Sequence, residues 1–166
     1  MYKTAIVTLS DKSYAGLRED GSKKVIEKII TAHGYFLSEY ILIPDEPGLL
    51  RETLIDLCDN KKTPLILTTG GTGFSKRDIT PDVTKEVIEK EALGLAEAMR
   101  MNSLTITKRA MLSRQTAGIR GSSLIINLPG SPKACKENLE FIITELGHGL
   151  QILLGEESEC AKNILQ

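Results

Sequence analysis

Short apolar runs that alternate with helical patterns are the feature of this chain that most restricts its fold. Four runs rich in apolar residues predict strands: they are KTAIVTLS (3–10), YFLSEYILI (35–43), PLILTT (64–69) and SLIINL (123–128). Between these runs, apolar residues recur at helical spacing, as they do through residues 22–32. Strands that alternate with helices predict an α/β domain whose mainly parallel sheet is covered on both faces.

One domain is predicted to span residues 1–166. The sequence contains no internal repeat, low-complexity segment or interdomain linker. A chain of 166 residues is long enough to bury about 70% of the surface that its unfolded form exposes. We therefore expect a single compact core.

Capping residues and glycines predict several boundaries in the middle of the chain. Thr80 is expected to be the N-cap of a helix whose first residue is Pro81. Gly94 is expected to separate this helix from another at residues 95–102, and residues 108–115 are predicted to be extended. With these boundaries, the glycine-rich stretch after the third strand leads directly into a helix.

Composition and charge exclude several classes of protein. The formal net charge is −1, which argues against nucleic-acid binding, and no apolar run approaches the ~18 residues of a membrane span. The N-terminus lacks the apolar core of a signal peptide, and Cys58, Cys135 and Cys160 are odd in number and far apart. Reduced thiols in a cytoplasmic protein are therefore expected. Because His33 and His148 are the only histidines, a histidine metal centre or a Ser-His-Asp triad is disfavoured.

The stretch LTTGGTGFSKRDITP (residues 67–81) concentrates glycines, hydroxyls and charges immediately after a predicted strand. In open parallel sheets, ligands bind beyond the carboxyl ends of the strands, where loops lead into helix N-termini. A second loop, PGSP at residues 129–132, has the equivalent position after SLIINL. Glycine N–H groups, hydroxyls and the helix dipole together favour phosphate, so the two loops predict a phosphate site.

An ordinary turn is the simpler interpretation of the glycine loop, and two known nucleotide-binding motifs do not match it. Either loop taken alone is compatible with an ordinary tight turn between a strand and a helix. The first loop is not a P-loop, since Gly73 is followed by FSKRD, and it lacks the dinucleotide fingerprint GxGxxG. The presence of two such loops at one edge of the sheet favours the anion site.

Four aspartates lie in or beside the predicted strand-to-helix loops. Asp45 follows the second strand, Asp78 lies in the glycine loop, and Asp11 and Asp20 flank the first loop. Carboxylates beside a phosphate site are unfavourable unless a cation lies between them, and Mg²⁺ is the usual one. Each aspartate alone is also explained as a turn residue or a helix cap, which suits Asp20 best and Asp78 least.

Basic side chains are also available near these loops. Lys76, Arg77, Arg100 and Arg114 are candidates to neutralise phosphate oxygens. For Lys76 and Arg77, an exposed and merely solubilising role is the alternative.

Several motifs together resemble the MogA/MoaB family of molybdenum-cofactor biosynthesis proteins. Across residues 3–155, the chain has in the family's order VTLSDKSYAGLREDGS, LIPDE, TTGGTG, RDITPDVT, GLAEAMR, LSRQTAGIRG and NLPGSPKA. The similarity is greatest to the adenylyltransferase branch. Leu93 and Lys76 depart from the family pattern, which often has proline at the first position and proline or a small residue at the second. These departures affect loop geometry and leave the acids unchanged.

The resemblance implies a three-layer α/β/α fold of the molybdopterin-binding type, assembled as a homotrimer. It also implies Mg²⁺-dependent transfer of AMP from ATP to the terminal phosphate of molybdopterin, with release of pyrophosphate. Asp45 and Asp78 match the two acids that the family associates with catalysis, and we expect them to bind the metal. The implied substrate-binding residues are Thr69, Gly70, Gly71, Thr72, Gly73, Ser113, Pro129, Gly130 and Ser131.

A non-catalytic molybdopterin-binding or carrier protein is the main alternative, because the same fold can bind the pterin without turnover. Asp45 and Asp78 favour the enzyme, since a pure binder of an anion gains nothing from extra negative charge. An unrelated phosphate-binding α/β enzyme would require the match of all motifs to be accidental. Insertion of molybdate by this chain and insertion by a partner protein are both compatible with the sequence.

Overall fold

The computed structural model describes residues 1–156, in which a six-stranded sheet lies between two layers of helices. The strands are β1 (Tyr2–Leu9), β2 (Tyr35–Ile43), β3 (Leu65–Thr69), β4 (Lys90–Glu91), β5 (Ala117–Arg120) and β6 (Ser123–Leu128). Their order is β2-β1-β3-β6-β5-β4; the first four are parallel, whereas β5 pairs antiparallel with both β6 and β4. The predicted three-layer α/β/α fold with a mainly parallel sheet is confirmed.

Helices connect the strands and cover both faces of the sheet. The α-helices of the described chain are α1 (Asp11–Tyr14), α2 (Gly21–Ala32), α3 (Pro47–Ile55), α4 (Thr80–Val87), α5 (Leu93–Ile106) and α6 (Pro132–Leu154). A π-helical turn at Asp56–Asn60 continues α3, and a 3₁₀ turn at Lys108–Leu112 follows α5. Among residues 1–156, none of the helices combines the length and apolarity that a membrane crossing requires.

Alternation along the strands fills a hydrophobic core on each face of the sheet. In β1, Ile6 packs in the core beneath α2, α5 and α6, whereas Val7 packs in the core beneath α3 and α4. In β3, Leu67 packs in the same core as Ile6, and Ile66 packs in the same core as Val7. All four side chains are fully buried, and burial of a side chain of this size stabilises the fold by about 1.5–3 kcal/mol. The central strands are therefore firmly held, and their ends are fixed in position.

The loops that follow the parallel strands meet at one edge of the sheet. At this edge, Thr8 of β1 pairs with Thr69 of β3, which in turn pairs with Leu128 of β6. On the other side of β1, Leu9 pairs with Ile43 at the end of β2. Because these strands end at the same level, the loops after β1, β2, β3 and β6 are brought together.

The predicted start of α4 is wrong by one residue. Ile79 has the N-cap position, so Thr80 and Pro81 are the first two residues of the helix. The Thr80 hydroxyl donates to the carbonyl oxygen of Gly70 at 2.8 Å, and the Thr80 amide donates to the carbonyl oxygen of Gly71 at 3.1 Å. The side chain that was expected to cap the helix fixes the glycine loop instead.

Two predictions for the following segment are also wrong. Residues 95–102 are only the middle of α5, which includes Gly94; the separation from α4 comes from β4, which pairs with β5. Residues 108–115 are not an extended segment, because the Thr107 side chain accepts a hydrogen bond from the Arg109 amide and starts the 3₁₀ turn. In α5 the apolar residues are spread around the helix instead of along one face, so the sequence gives no clear period from which to place its ends.

Cys58 and Cys135 are buried free thiols, and Cys160 lies outside the described residues. Burial raises the pKa of each of the two buried thiols to about 11. Neither thiol is therefore ionised at neutral pH, and neither has the character of a nucleophile.

Candidate functional site

A cavity of about 640 Å³ opens where the loops after β1, β2, β3 and β6 meet. Both predicted acids, Asp45 and Asp78, line it. So do five of the predicted substrate-binding residues, which are Thr69, Gly70, Gly71, Gly130 and Ser131. The parallel register therefore brings residues from distant parts of the sequence to one place.

A second cavity of about 300 Å³ adjoins the same two loops. It is lined by the remaining predicted residues, which are Thr72, Gly73, Ser113 and Pro129. The structure thus divides the predicted site between two cavities, and the glycine loop and the loop at 129–131 pass from one cavity into the other. These two loops form the partition between the cavities.

Gly70 and Gly71 have backbone conformations that side chains rarely permit. The φ angle is +99° at Gly70 and +63° at Gly71. A Cβ on Gly70 would lie 2.3 Å from the carbonyl oxygen of Leu9, and a Cβ on Gly71 would lie 2.5 Å from Thr80 Oγ1. Because only glycine avoids these contacts, the loop backbone lies directly against the end of β1 and the start of α4.

The amide N–H groups of Gly71, Thr72 and Gly73 donate no hydrogen bond to any other group within residues 1–156. Thr72 is buried, and both glycines are half-buried. Buried amide groups need a hydrogen-bond partner, since an unpaired one costs about 1–3 kcal/mol. Three successive donors that lack a partner among the described residues are available to bind an anion.

The second loop is anchored beside the first cavity and begins α6. The carbonyl oxygen of Pro129 accepts a hydrogen bond from the Thr69 hydroxyl at 2.7 Å, and that of Gly130 accepts one from the Ser22 hydroxyl at 3.1 Å. Ser131 is the N-cap of α6, where its hydroxyl accepts a hydrogen bond from the first turn at 3.1 Å. The positive end of the α6 dipole therefore lies at the cavity and favours negative charge there.

Asp45 and Asp11 hold each other by reciprocal hydrogen bonds. The Asp11 amide donates to Asp45 Oδ2 at 3.1 Å, and the Asp45 amide donates to Asp11 Oδ1 at 3.0 Å. Asp45 Oδ1 accepts no hydrogen bond from residues 1–156, and it lies 3.5 Å from the place of a Cβ on Gly71. Burial raises the pKa of Asp45, an effect that the hydrogen bond from Asp11 opposes. One carboxylate oxygen of Asp45 therefore faces the glycine loop without a hydrogen-bond partner among residues 1–156.

Asp78 presents its carboxylate to the same cavity. Its Oδ2 accepts a hydrogen bond from the Ser75 amide at 2.8 Å and lies 2.9 Å from the place of a Cβ on Gly73. Its Oδ1 accepts none from the described part of the chain. The charge of Asp78 contributes to the raised pKa of Asp45, which places the two carboxylates within electrostatic reach of each other.

Two of the basic residues predicted to contact phosphate support the loops. Arg114 donates to the carboxylate of Asp82 at 2.8 and 2.9 Å and to the carbonyl oxygen of Gly73 at 2.7 Å. Arg100 donates to the carbonyl oxygen of Ser113 at 2.9 Å, although it also lines the second cavity. Both guanidinium groups therefore fix backbone carbonyls of the site.

Arg77 is likewise paired within the chain. It donates to both oxygens of Asp11 at 2.8 and 3.0 Å and to the carboxylate of Glu46 at 3.1 Å. Lys76 is exposed and lines neither of the two cavities. Neither residue takes the place expected of a phosphate ligand in this arrangement.

Both cavities also contain polar residues that were not predicted from the sequence. Arg18 lines the first cavity, where its Nη2 donates to the Ser10 hydroxyl at 3.1 Å. In the second cavity, Gln115 Nε2 donates to Asn138 Oδ1 at 3.2 Å, and Asn138 Nδ2 donates to the Ser103 hydroxyl at 3.1 Å. The position of Arg18 in the first strand-to-helix loop was a usable signal. The side-chain amides of Gln115 and Asn138 had no such signal, because their hydrogen-bond partners are distant in the sequence.

The carboxylates alone do not complete a metal site. Residues 1–156 contain no group of three or more His, Cys, Asp or Glu side chains that could hold a metal ion. Asp45 and Asp78 offer two carboxylates in one cavity. Mg²⁺ is usually bound by one or two carboxylates together with substrate phosphates and water. This set of donors therefore fits Mg²⁺ that binds together with a phosphate-bearing ligand.

Comparison with known proteins gives a family match over most of the chain. The model of the family described as "Probable molybdopterin binding domain" matches residues 5–148. A molybdopterin adenylyltransferase of Helicobacter pylori is 40% identical over 165 residues, which cover 97% of this chain and 93% of that protein. The molybdopterin adenylyltransferase of Escherichia coli K12 is 42% identical over 140 residues, which cover 83% and 72%.

Solved structures of similar proteins have the same fold. The molybdopterin biosynthesis enzyme MoaB of Thermus thermophilus superposes with a TM-score of 0.89 at 42% identity, over 93% of this chain and 98% of that one. A structure of MogA superposes with a TM-score of 0.86 at 33% identity, over 91% and 99%. The structural similarity thus extends over more than nine tenths of this chain.

Proposed function

The chain belongs to the family of probable molybdopterin binding domains, and we propose that it is a molybdopterin adenylyltransferase. In the proposed reaction, AMP is transferred from ATP to the terminal phosphate of molybdopterin, and pyrophosphate is released. The names of the curated relatives support this activity. ATP as the nucleotide is part of the proposal.

The observation that carries the proposal is the combination of two carboxylates with three amide donors of the glycine loop that have no partner within residues 1–156. Asp45 and Asp78 each keep one oxygen free of hydrogen bonds within residues 1–156, and both line the first cavity. A site that only binds an anion would be weakened by these charges. Their presence is explained if a cation and several phosphates come together there, as they do in nucleotidyl transfer.

Asp45 and Asp78 would hold Mg²⁺. When bound, the metal ion would neutralise charge on the nucleotide phosphates. The raised pKa of Asp45, which is due mainly to burial, means that its ionised form is less stable in the cavity than in water. A cation in contact with this carboxylate would remove that penalty.

The chain's own groups would act by holding the reactants. An oxygen of the molybdopterin phosphate attacks the α-phosphorus of ATP, and the bond from that phosphorus to the oxygen bridging to the β-phosphate breaks. The amides of Gly71, Thr72 and Gly73 would bind the acceptor phosphate and keep it in line with the leaving group. No side chain needs to serve as a nucleophile, which agrees with the un-ionised state of the two buried thiols.

The two cavities suit two substrates. We propose that molybdopterin and ATP occupy one cavity each, with their phosphates meeting at the loops that divide them. The polar network at Ser113, Gln115 and Asn138 would bind the heterocycle or ribose placed in the second cavity. Such an arrangement holds the reacting groups together without a moving domain.

Three further proposals concern the assembly and its surroundings. We propose a homotrimer, supported by the family resemblance and by exposed apolar side chains on α5 and the turn after it, which are Met101, Leu104, Ile106, Met111 and Leu112. Sedimentation of a concentration-independent monomer would reject it. We also propose a cytoplasmic location, and delivery of the adenylylated product to a protein that inserts molybdate.

The test of the function is a direct assay of the purified chain with ATP, Mg²⁺ and molybdopterin. We expect adenylylated molybdopterin and pyrophosphate to appear in equal amounts. Binding of both substrates without either product would reject the enzyme and support a non-catalytic binding or carrier protein. Asp56→Asn is a suitable control for variants of the acids, because Asp56 lies in neither cavity and pairs with Lys61 at the surface.

A further inference from the structure

Arg77 joins three of the loops that surround the first cavity. It lies in the loop after β3, and the four hydrogen bonds of its guanidinium reach Asp11, the first residue of α1 directly after β1, and Glu46 in the loop after β2. The contact with Asp11 is bidentate, from Nε to Oδ2 at 3.0 Å and from Nη2 to Oδ1 at 2.8 Å. A bidentate pair fixes the orientation of a carboxylate as well as its distance.

The Asp11 carboxylate, once fixed, fixes Asp45. Asp11 Oδ1 accepts from both Arg77 and the Asp45 amide, while the Asp11 amide binds Asp45 Oδ2. The Asp45 backbone and one of its carboxylate oxygens are therefore held through Asp11. The other oxygen, Oδ1, is left facing the glycine loop.

Stability does not account for this network. The side chains of Arg77, Asp11 and Glu46 are each about half exposed, and ion pairs between exposed side chains typically contribute about 0–1 kcal/mol. The guanidinium also lines neither cavity. What the network determines is the relative position of three loops and, through Asp11, the direction of the Asp45 carboxylate.

We propose that Arg77 is a positioning residue, which orients the Asp45 carboxylate through Asp11 for adenylyl transfer. This inference rests on the proposed function. Arg77 acts by geometry and makes no contact with substrate. Its planar fork is essential to the role, because the ammonium group of lysine is a point charge that cannot orient a carboxylate in the same way.

The kinetic test compares Arg77→Gln, Arg77→Lys and Asp11→Asn with the unaltered chain. Misplacement of a catalytic group lowers turnover by roughly 10- to 100-fold, so we expect kcat to fall by that amount in all three. The KM values for ATP and molybdopterin should stay nearly constant. Arg51→Gln is the matched control, because Arg51 forms a comparable exposed pair with Glu86 away from both cavities; its kcat should be unchanged. A rise in KM with normal kcat would instead assign Arg77 to direct binding of phosphate and would overturn the proposal.

A double variant tests whether Arg77 and Asp11 act by one route. Both residues are expected to work through Asp45. The double variant Arg77→Gln/Asp11→Asn should therefore be little less active than the less active of the two single variants. Losses that multiply would show two independent effects and would contradict the proposal.

A crystal structure of the Arg77→Gln variant provides a test that does not depend on activity. We expect the two Asp11–Asp45 hydrogen bonds to be lost and the Asp45 carboxylate to turn away from Gly71, while β1 and β3 remain in place. An unchanged Asp45 would refute the positioning role, whatever the kinetics. If the unaltered chain transfers no adenylyl group, the proposed function fails, and this structural comparison alone decides the role of Arg77. Should Arg77→Gln not fold, the same measurement is made on Asp11→Asn.

Discussion

Replacement of Gly70 by alanine should destabilise the protein by more than the strained backbone conformation alone. At φ = +99°, a residue with a Cβ costs about 1–3 kcal/mol. The added Cβ would also lie 2.3 Å from the carbonyl oxygen of Leu9, which belongs to a buried strand that cannot move freely. Overpacking of this kind adds about 1–3 kcal/mol. The two contributions together give an expected loss of unfolding free energy of about 4 kcal/mol, equivalent to a Tm lower by about 8–16 °C.

Gly34→Ala separates the two contributions. Gly34 has a similar φ of +82°, but apart from its chain neighbours no atom of residues 1–156 lies within 4 Å of the place of its Cβ. This variant should therefore lose only the conformational part, about 1–3 kcal/mol. Chemical denaturation of both variants, analysed at equal m-values, gives the difference directly. If Gly70→Ala were no less stable than Gly34→Ala, the close approach of a Cβ to β1 would not cost stability. Close packing of the glycine loop against β1 would then not be what requires glycine at position 70.

Three further variants test the site and the core beneath it. Asp78→Asn should lower adenylyl transfer by about 100-fold or more while leaving the Tm and molybdopterin binding nearly unchanged; equal turnover in Asp78→Asn and in the control Asp56→Asn would dismiss a catalytic role. Asp45→Asn should raise the Tm at pH 7 while abolishing most turnover. The pKa of Asp45 is raised in the folded state, so this carboxyl favours the fold most at a pH below its unfolded pKa and loses that contribution as the pH rises through its folded pKa. At pH 7 the charged carboxylate therefore costs stability, and its replacement by a neutral amide relieves that cost. A lower Tm for Asp45→Asn would contradict this sign. Asn127→Ala should destabilise the fold by about 2–4 kcal/mol, because the fully buried amide bridges two threonine hydroxyls at 2.9 Å each; a loss below about 1 kcal/mol in chemical denaturation would show that water replaces the amide.

The arrangement of strands was predictable because their apolar runs are strong and short. The three-layer fold and the position of the glycine loop after β3 followed from these runs and from the family resemblance. The short strands β4 and β5 were not found, since two and four residues carry no measurable alternation. The role of Thr80 was misread because a threonine before proline is typical of an N-cap, and only the folded chain shows its hydroxyl bound to Gly70.

The loops that form the site were predictable from the sequence, but the hydrogen bonds between them were not. Residue types and positions marked four aspartates, and the family resemblance selected Asp45 and Asp78 among them. The hydrogen bonds that orient these two carboxylates come from Asp11 and Ser75. The division into two cavities depends on the three-dimensional path of the loops, which no spacing in the sequence reveals. Side chains such as Asn138 become visible only when α6 packs beside the turn after α5.

The amides of Gly71–Gly73, which have no partner within residues 1–156, have a consequence for inhibition of this enzyme class. A compound anchored on these three donors would contact main-chain atoms, and no substitution of a side chain removes a main-chain N–H except replacement by proline. Resistance would therefore have to arise at the surrounding side chains, such as Arg18 in one cavity or Gln115 in the other. Inhibitors that draw most of their affinity from the glycine loop, and little from the neighbouring side chains, are therefore the hardest to evade by substitution.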